Sequence, residues 1–176
     1  MTAPPSILSL ESDAFIAARP QGVPADEALR IYRDTYRTLR APPSWAGFDL
    51  APIGTVLDEG PTTKFTQRLP DGLETESVIL PQEGRTGRLR RTLCVSSQVG
   101  CAMGCTFCET AQMGLMRQLT AAQIVGQWFA ARTTFDVAID NIVFMGMGEP
   151  MDNLDAVEPA PLFNPGASAA PEASLA

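Results

Sequence analysis

Residues 91–145 read RTLCVSSQVGCAMGCTFCETAQMGLMRQLTAAQIVGQWFAARTTFDVAIDNIVFM. Arg91 to Ser97 has strand character, and Asn141-Ile142-Val143-Phe144-Met145 is a continuous apolar run of the length of a buried strand. Between them a helix opens at Leu119. Thr120 and Gln123 stand at capping-box spacing, Leu119 and Ile124 at that of a hydrophobic staple. The pattern carries this helix to about Arg132 and buries Ile124, Val125, Trp128 and Phe129. Strand, helix and apolar strand in that order predict a parallel βαβ unit. The first strand feeds a Cys-rich loop from Gly100 to Gly114, and Gly146-Met147-Gly148-Glu149-Pro150 breaks the second.

Upstream, Leu29, Tyr32, Tyr36 and Leu39 recur at helical spacing after the Gly22-Val23-Pro24 break, and Pro42-Pro43 ends that helix. Phe48 to Gly60 reads as a loop with an acidic end at Asp58 and Glu59. Lys64 to Leu69 alternates with period two, Pro70-Asp71-Gly72 supplies a turn, and Leu73 to Leu80 returns, which predicts a β-hairpin. Downstream, twelve of the nineteen residues from Glu158 to Ala176 are Ala, Pro or Ser, with no helical or strand period. The expected organisation is an N-terminal accessory domain over 1–84, the βαβ part over 85–157 and a disordered Ala/Pro-rich tail over 158–176.

The 176 residues carry 13 Lys+Arg against 20 Asp+Glu, a formal charge of -7, which argues against a broadly basic nucleic-acid binder. Residues 85–117 reverse that balance: Arg85, Arg88, Arg90, Arg91 and Arg117 face one carboxylate, Glu109. This stretch is the candidate polyanion contact, with solvated surface arginines as the alternative. Met1 to Leu10 holds no Lys or Arg and no apolar run reaches a membrane span, so a soluble, cytoplasmic protein is expected. The length is short of the roughly 250 residues of a full (β/α) barrel.

The chain has no His, which removes Ser-His-Asp and Cys-His catalysis and mixed Cys/His zinc sites. Three of its four cysteines, Cys101, Cys105 and Cys108, fall within eight residues in a C-x3-C-x2-C pattern. Dispersed disulfide spacing is absent, which fits a reducing compartment. An iron-sulfur cluster normally takes four thiolates; three leave one iron open, the mark of a reactive centre. Structural zinc would need a fourth ligand, and Cys94 lies seven residues upstream, outside the usual paired spacings. Inert buried cysteines are the other alternative.

The Cys spacing resembles that of the radical S-adenosylmethionine (SAM) superfamily. Thr92-Leu93-Cys94-Val95-Ser96-Ser97-Gln98-Val99-Gly100-Cys101, Leu119 to Gln127 and Gly146 to Pro150 resemble the RlmN/Cfr family of RNA adenine methyltransferases, over about residues 60 to 157. The resemblance implies an α/β fold, a partial radical SAM (β/α)6 barrel with the first βαβ unit only, preceded by a small α+β accessory domain. It implies that Cys101, Cys105 and Cys108 bind a [4Fe-4S] cluster whose open iron chelates SAM, and that reduction cleaves SAM to a 5′-deoxyadenosyl radical. Gly146, Met147, Gly148 and Glu149 would hold the SAM methionine end, the glycines by letting backbone approach the ligand and Glu149 by accepting from an ammonium.

Cys94 matches the family cysteine that takes a proton from adenine C2 and then resolves the enzyme–RNA crosslink; a cysteine packed in a strand core is the bland alternative. Implied partners are RNA (large-subunit 23S rRNA, and tRNA as a second substrate) and an electron donor, with no membrane. Family members use a second catalytic cysteine near the C-terminus, and this sequence has none after Cys108. Glu109 also replaces the family's usual small residue. The expectation is an incomplete fragment that keeps cluster and SAM residues; another radical SAM enzyme and a non-catalytic RNA- or metal-binding remnant are the alternatives.

Overall fold

Ten of the fourteen residues of one helix are buried, and the rest of the molecule is arranged around it. This computed structural model describes residues 4–84, 87–160 and 173–174. Its helices are α1 (Ser12–Ala17), α2 (Ala25–Thr38), α3 (Glu109–Gln112), α4 (Ala121–Thr134) and α5 (Leu154–Val157), and its strands are β1 (Ile53–Glu59), β2 (Thr62–Arg68), β3 (Glu74–Glu83), β4 (Leu89–Cys94), β5 (Gln98–Val99), β6 (Arg117–Gln118), β7 (Asn141–Val143) and β8 (Ala173–Ser174). The buried helix is α4. A helix that is apolar on nearly every side must be covered on nearly every side. The sheet covers one flank; on the other, Tyr36 of α2 stacks on Trp128 at 6.2 Å, and Phe48 meets Phe129 edge-on at 5.3 Å.

The predicted capping box of α4 is present, and the helix starts at Ala121 rather than Leu119. Thr120 Oγ1 accepts from the Gln123 backbone N–H, and Gln123 Oε1 accepts from the Thr120 N–H at 3.0 Å. Such a cap stabilises a helix by about 1 kcal/mol. Ile124, Val125, Trp128 and Phe129 are all buried, as their spacing predicts, and the helix extends two residues past Arg132.

The six-stranded sheet has the order β1-β2-β3-β4-β7-β8. Its first four strands are antiparallel neighbours; β4 and β7 run parallel, with Thr92, Leu93 and Cys94 opposite Asn141, Ile142 and Val143. The β4–α4–β7 unit is therefore the predicted parallel βαβ. The predicted β2–β3 hairpin also forms, in the register Lys64 to Val78.

Several details differ from expectation. The stretch from Phe48 to Gly60 contains β1, an edge strand: its mixed Thr-Val-Leu-Asp-Glu sequence pairs along β2 while its side chains stay largely exposed. The first βαβ strand runs over Leu89–Cys94, short of Ser97: the Val95 N–H still donates to the Val143 carbonyl of β7, but the Ser96 backbone bonds the Gln127 amide and the Ser97 N–H the Met147 carbonyl. Strand β7 ends at Val143, with Phe144 buried and Met145 exposed. In α2 the buried stripe is Ala28, Tyr32, Thr35 and Tyr36, and Leu29 is only partly covered. Tyr32 Oη donates to the Leu10 carbonyl and Tyr36 Oη to that of Ile7, so the polar tips select tyrosine at these core positions.

The sheet runs unbroken across residue 84, since β3 and β4 pair from Val78–Cys94 to Glu83–Leu89. Of the tail expected over 158–176, residues 161–172 and 175–176 lie outside the described residues, and Ala173–Ser174 pairs in parallel with β7.

Candidate functional site

Strand alternation places the first cysteine. Leu93 and its register partners Ile79 and Ile142 all point into the core beneath α4. Cys94, next along β4, therefore faces the opposite side of the sheet, in a cross-strand row with Val78, Val143 and, one strand further, Lys64. It is 7% exposed, and burial pushes its thiol above the ordinary cysteine range. Lys64 is engaged by Glu76 at 2.8 Å. That ion pair raises the Lys64 pKa, the hydrogen bond to Glu76 being the main cause.

The Cys loop begins where β5 ends and closes where β6 begins. Val99 pairs with Arg117, the Met116 N–H donates to the Val99 carbonyl at 2.9 Å, and the Cys101 N–H donates to the Gly114 carbonyl at 3.2 Å. Gly100 makes this closure possible: its φ is +76°, and a Cβ there would stand 1.8 Å from the Gly114 oxygen. The tip of the β2–β3 hairpin braces the same point. Arg117 ion-pairs with Asp71 of the turn and donates to Gln123 Oε1 at 3.1 Å. Asp71 is held below the usual carboxylate range chiefly by the Arg117 hydrogen bond.

Within the loop Cys101 is buried, Cys105 exposed and Cys108 half-buried, and none is in a disulfide. Cys108 is the N-cap residue of α3, but its side chain makes no capping bond. Phe107 between the last two is 90% exposed. Among the described residues no three Cys, Asp or Glu side chains stand close enough to hold an ion in this conformation. The donor chemistry nevertheless fits an iron-sulfur cluster: three reduced thiols on one anchored loop, with Cys105 and Cys108 accessible. Holding a cluster would require the loop to draw these two toward Cys101.

The Gly146–Glu149 segment lies against the chain leaving β4. The Gly146 N–H donates to the Val95 carbonyl at 3.1 Å and the Met147 N–H to Ser96 Oγ at 2.8 Å. The Met147 carbonyl accepts from the Ser97 and Gln98 N–H groups, and the Glu149 N–H donates to Gln98 Oε1 at 2.9 Å. Ser97 Oγ is buried at this junction with no hydrogen-bond partner among the described residues, a hydroxyl that a polar ligand group would satisfy. The glycines are also needed for packing within the chain. A Cβ on Gly146 would meet Ser96 Oγ at 2.6 Å, and one on Gly148 would meet Gln98 Cβ at 2.4 Å, so both are required for chain-to-chain contact. Glu149 caps the following turn, its Oε1 accepting from the Met151 N–H at 3.1 Å, which leaves Oε2 for another donor.

The candidate polyanion patch is divided. Arg88 pairs with Asp140 at 3.3 Å and Arg117 with Asp71, while Arg90 and Arg91 remain exposed and Arg85 lies outside the described residues. Arg90 and Arg91 also sit near the start of β4, whereas the Cys loop follows its end. At about 3.3 Å per residue the separation along β4 from Arg90 to Cys94 is about 13 Å. A cleft of about 620 Å³ at the start of α4, lined by Phe48, Leu50, Leu69, Thr120 and Gln123 among others, includes none of the cysteines. What sequence reasoning missed is the polar lining of the β4 exit, Ser96, Gln98 and Gln127. Its signal was available as a Ser-Ser-Gln run directly after an apolar strand and as Gln127 set among the apolar residues Val125, Trp128 and Phe129 of α4.

No family model matches the chain. It is 57% identical over 99 residues to the dual-specificity RNA methyltransferase RlmN of Pelobacter propionicus, covering 56% of this chain and 26% of the relative. Over 132 residues it is 46% identical to the RlmN of Geobacter sulfurreducens, covering 75% of this chain and 33% of the relative. A probable RlmN of Protochlamydia amoebophila is 46% identical over 114 residues, 65% of this chain and 30% of that protein. The chain thus spans roughly three-tenths of the length of these curated relatives. Among solved structures, a radical SAM methyltransferase from Sphaerobacter thermophilus superposes with a TM-score of 0.73 at 32% identity, over 89% of this chain and 51% of that one.

Proposed function

We propose that this chain, which belongs to the RlmN family over the stretch it spans, is the cluster- and SAM-holding part of an enzyme that methylates adenine C2 in 23S rRNA and tRNA. The observation that carries the reading is the placement of three thiols on one anchored loop off a parallel βαβ strand whose exit also bonds the Gly146–Glu149 segment. In this reading the β4–α4–β7 unit is the opening of a (β/α)6 barrel, residues 1–84 are its accessory part, and the reaction runs in the cytoplasm with an external electron donor.

Cys101, Cys105 and Cys108 would hold a [4Fe-4S] cluster, which with SAM supplies radical chemistry and a methyl group when bound. Glu149 Oε2 is available to accept from the ammonium of an amino acid, and the backbone of Gly146 to Gly148 flanks it. Cys94 keeps its proton at Sγ at neutral pH because burial disfavours the thiolate; once ionised, a thiol of raised pKa is the stronger base. Its place on the sheet face away from α4 would put that base inside the barrel. RNA enters this account through the exposed Arg90 and Arg91.

The test is anaerobic reconstitution of the purified chain, followed by iron and sulfide analysis. The unsubstituted chain is expected to take up close to one cluster, and the variant with Cys101, Cys105 and Cys108 all changed to Ala to take up none. Equal iron in both would end the assignment.

A further inference from the structure

A buried polar chain connects α4, the exit of β4 and the Gly146–Glu149 segment, and none of its members belongs to the ligand set proposed above. Gln127, fully buried in α4, uses both ends of its amide: Oε1 accepts from Ser77 Oγ and the Ser96 N–H, each at 2.8 Å, and Nε2 donates to the Ser96 carbonyl at 2.8 Å. Ser96, itself fully buried, donates from Oγ to the Glu76 carbonyl at 2.6 Å and accepts there from the Met147 N–H. Gln98 is buried as well; its Nε2 donates to Gln118 Oε1 at 2.9 Å, which orients the amide so that Oε1 receives the Glu149 N–H.

We propose that Ser96 and Gln98 are positioning residues that fix the Met147–Glu149 backbone as a preformed receptor for the amino-acid end of SAM. The proposal rests on the reading of this segment given above and deepens it by naming what shapes the segment. Three features carry it. First, the inward bonds engage the Gly146, Met147 and Glu149 N–H groups and the Met147 carbonyl, and among the described residues the Gly146 and Gly148 carbonyls accept no hydrogen bond, nor does Glu149 Oε2. Carbonyls and a carboxylate are the acceptor set that an ammonium group requires.

Second, a Gly-rich segment has high conformational entropy unless something holds it, and a receptor that must be ordered by its ligand binds more weakly. Third, Ser96 and Gln98 lie two and four residues beyond Cys94 on the same chain. The strand exit that fixes the receptor therefore also fixes its register to the thiol. Gln127 contributes one step further out, by holding the Ser96 peptide from both sides against a rigid helix.

The test compares the reconstituted chain with its Ser96→Ala and Gln98→Met variants by SAM equilibrium dialysis, iron content and amide hydrogen exchange. Each variant is expected to keep its iron, to bind SAM about tenfold more weakly, the scale of one lost buried hydrogen bond, and to exchange the Met147 or Glu149 amide faster while the Leu93 and Ile142 amides stay protected. Ser96→Thr, which retains the hydroxyl, should recover part of the affinity. Unchanged SAM affinity, or exchange that rises equally at Leu93 and Ile142, would overturn the positioning role and make these residues general supports of the fold. Failure of the unsubstituted chain to bind SAM would instead overturn the function proposed for the segment.

Discussion

At the residue scale the burial of Cys94 has a measurable consequence. Its thiol titrates above the ordinary range because the thiolate is desolvated there, whereas Cys105 is exposed. Iodoacetamide at neutral pH should therefore label Cys105 well before Cys94, read by peptide mass spectrometry over time. Equal rates would contradict the buried placement. The same shift acts on stability: the folded state holds this proton more tightly than the unfolded chain does. Its contribution is present below the unfolded thiol pKa, about 8.5, and is lost as pH climbs through the higher folded value. A melting series on Cys94→Ala should lose that alkaline decline relative to the unsubstituted chain, and an identical pH dependence in both would show another group to be responsible.

At the element scale the Cys loop depends on a backbone conformation that side-chain-bearing residues rarely adopt. Gly100→Ala would strain a φ of +76° and push a methyl group into the Gly114 carbonyl. A loss of about 2 kcal/mol or more is expected from a clash of this kind, seen as a lower melting temperature and as reduced iron uptake, because the loop could no longer close between β5 and β6. Retention of both would mean that the closure is dispensable. The sequence announced the elements that carry a strong period or a local code: α4 with its capping box, the apolar β7 and the β2–β3 hairpin. It concealed β1, whose polar edge carries no alternation in burial, and the short pair β5–β6, whose loop closure depends on the close backbone approach at Gly100. The roles of Gly146 and Gly148 were hidden for the same reason: the Val95–Gln98 chain they pack against is about fifty residues away in sequence.

At the scale of the whole molecule, one sheet carries β1 to β3 and the βαβ unit, and the proposed function gives the two ends of β4 different work. Arg90 and Arg91 stand near the start of β4, and the thiols follow its end. In the proposed function RNA engages both and has to reach along the strand, so neutralising Arg90 and Arg91 should weaken binding at all sequences and flatten its salt dependence, measured by titration at several salt concentrations; an unchanged slope would return these arginines to ordinary surface. The chemistry sets a sharper limit. Adenine C2 is a poor nucleophile, so direct transfer of the SAM methyl group is unattractive, and the family route carries the carbon on a methylated cysteine. This polypeptide has four cysteines. In the function proposed above, three hold the cluster and Cys94 takes the proton and resolves the crosslink, which leaves no thiol to carry the methyl group. The chain by itself, reconstituted and supplied with SAM, reductant and target RNA, is therefore expected to form no 2-methyladenosine, whereas reductive breakdown of SAM can persist because Cys101, Cys105, Cys108 and Gly146 to Glu149 are all present. Mass spectrometry of the digested RNA and of the small-molecule fraction reads both outcomes from one incubation. Robust 2-methyladenosine would require a route with a single non-cluster cysteine, and with it a second duty for Cys94 as the carbon carrier.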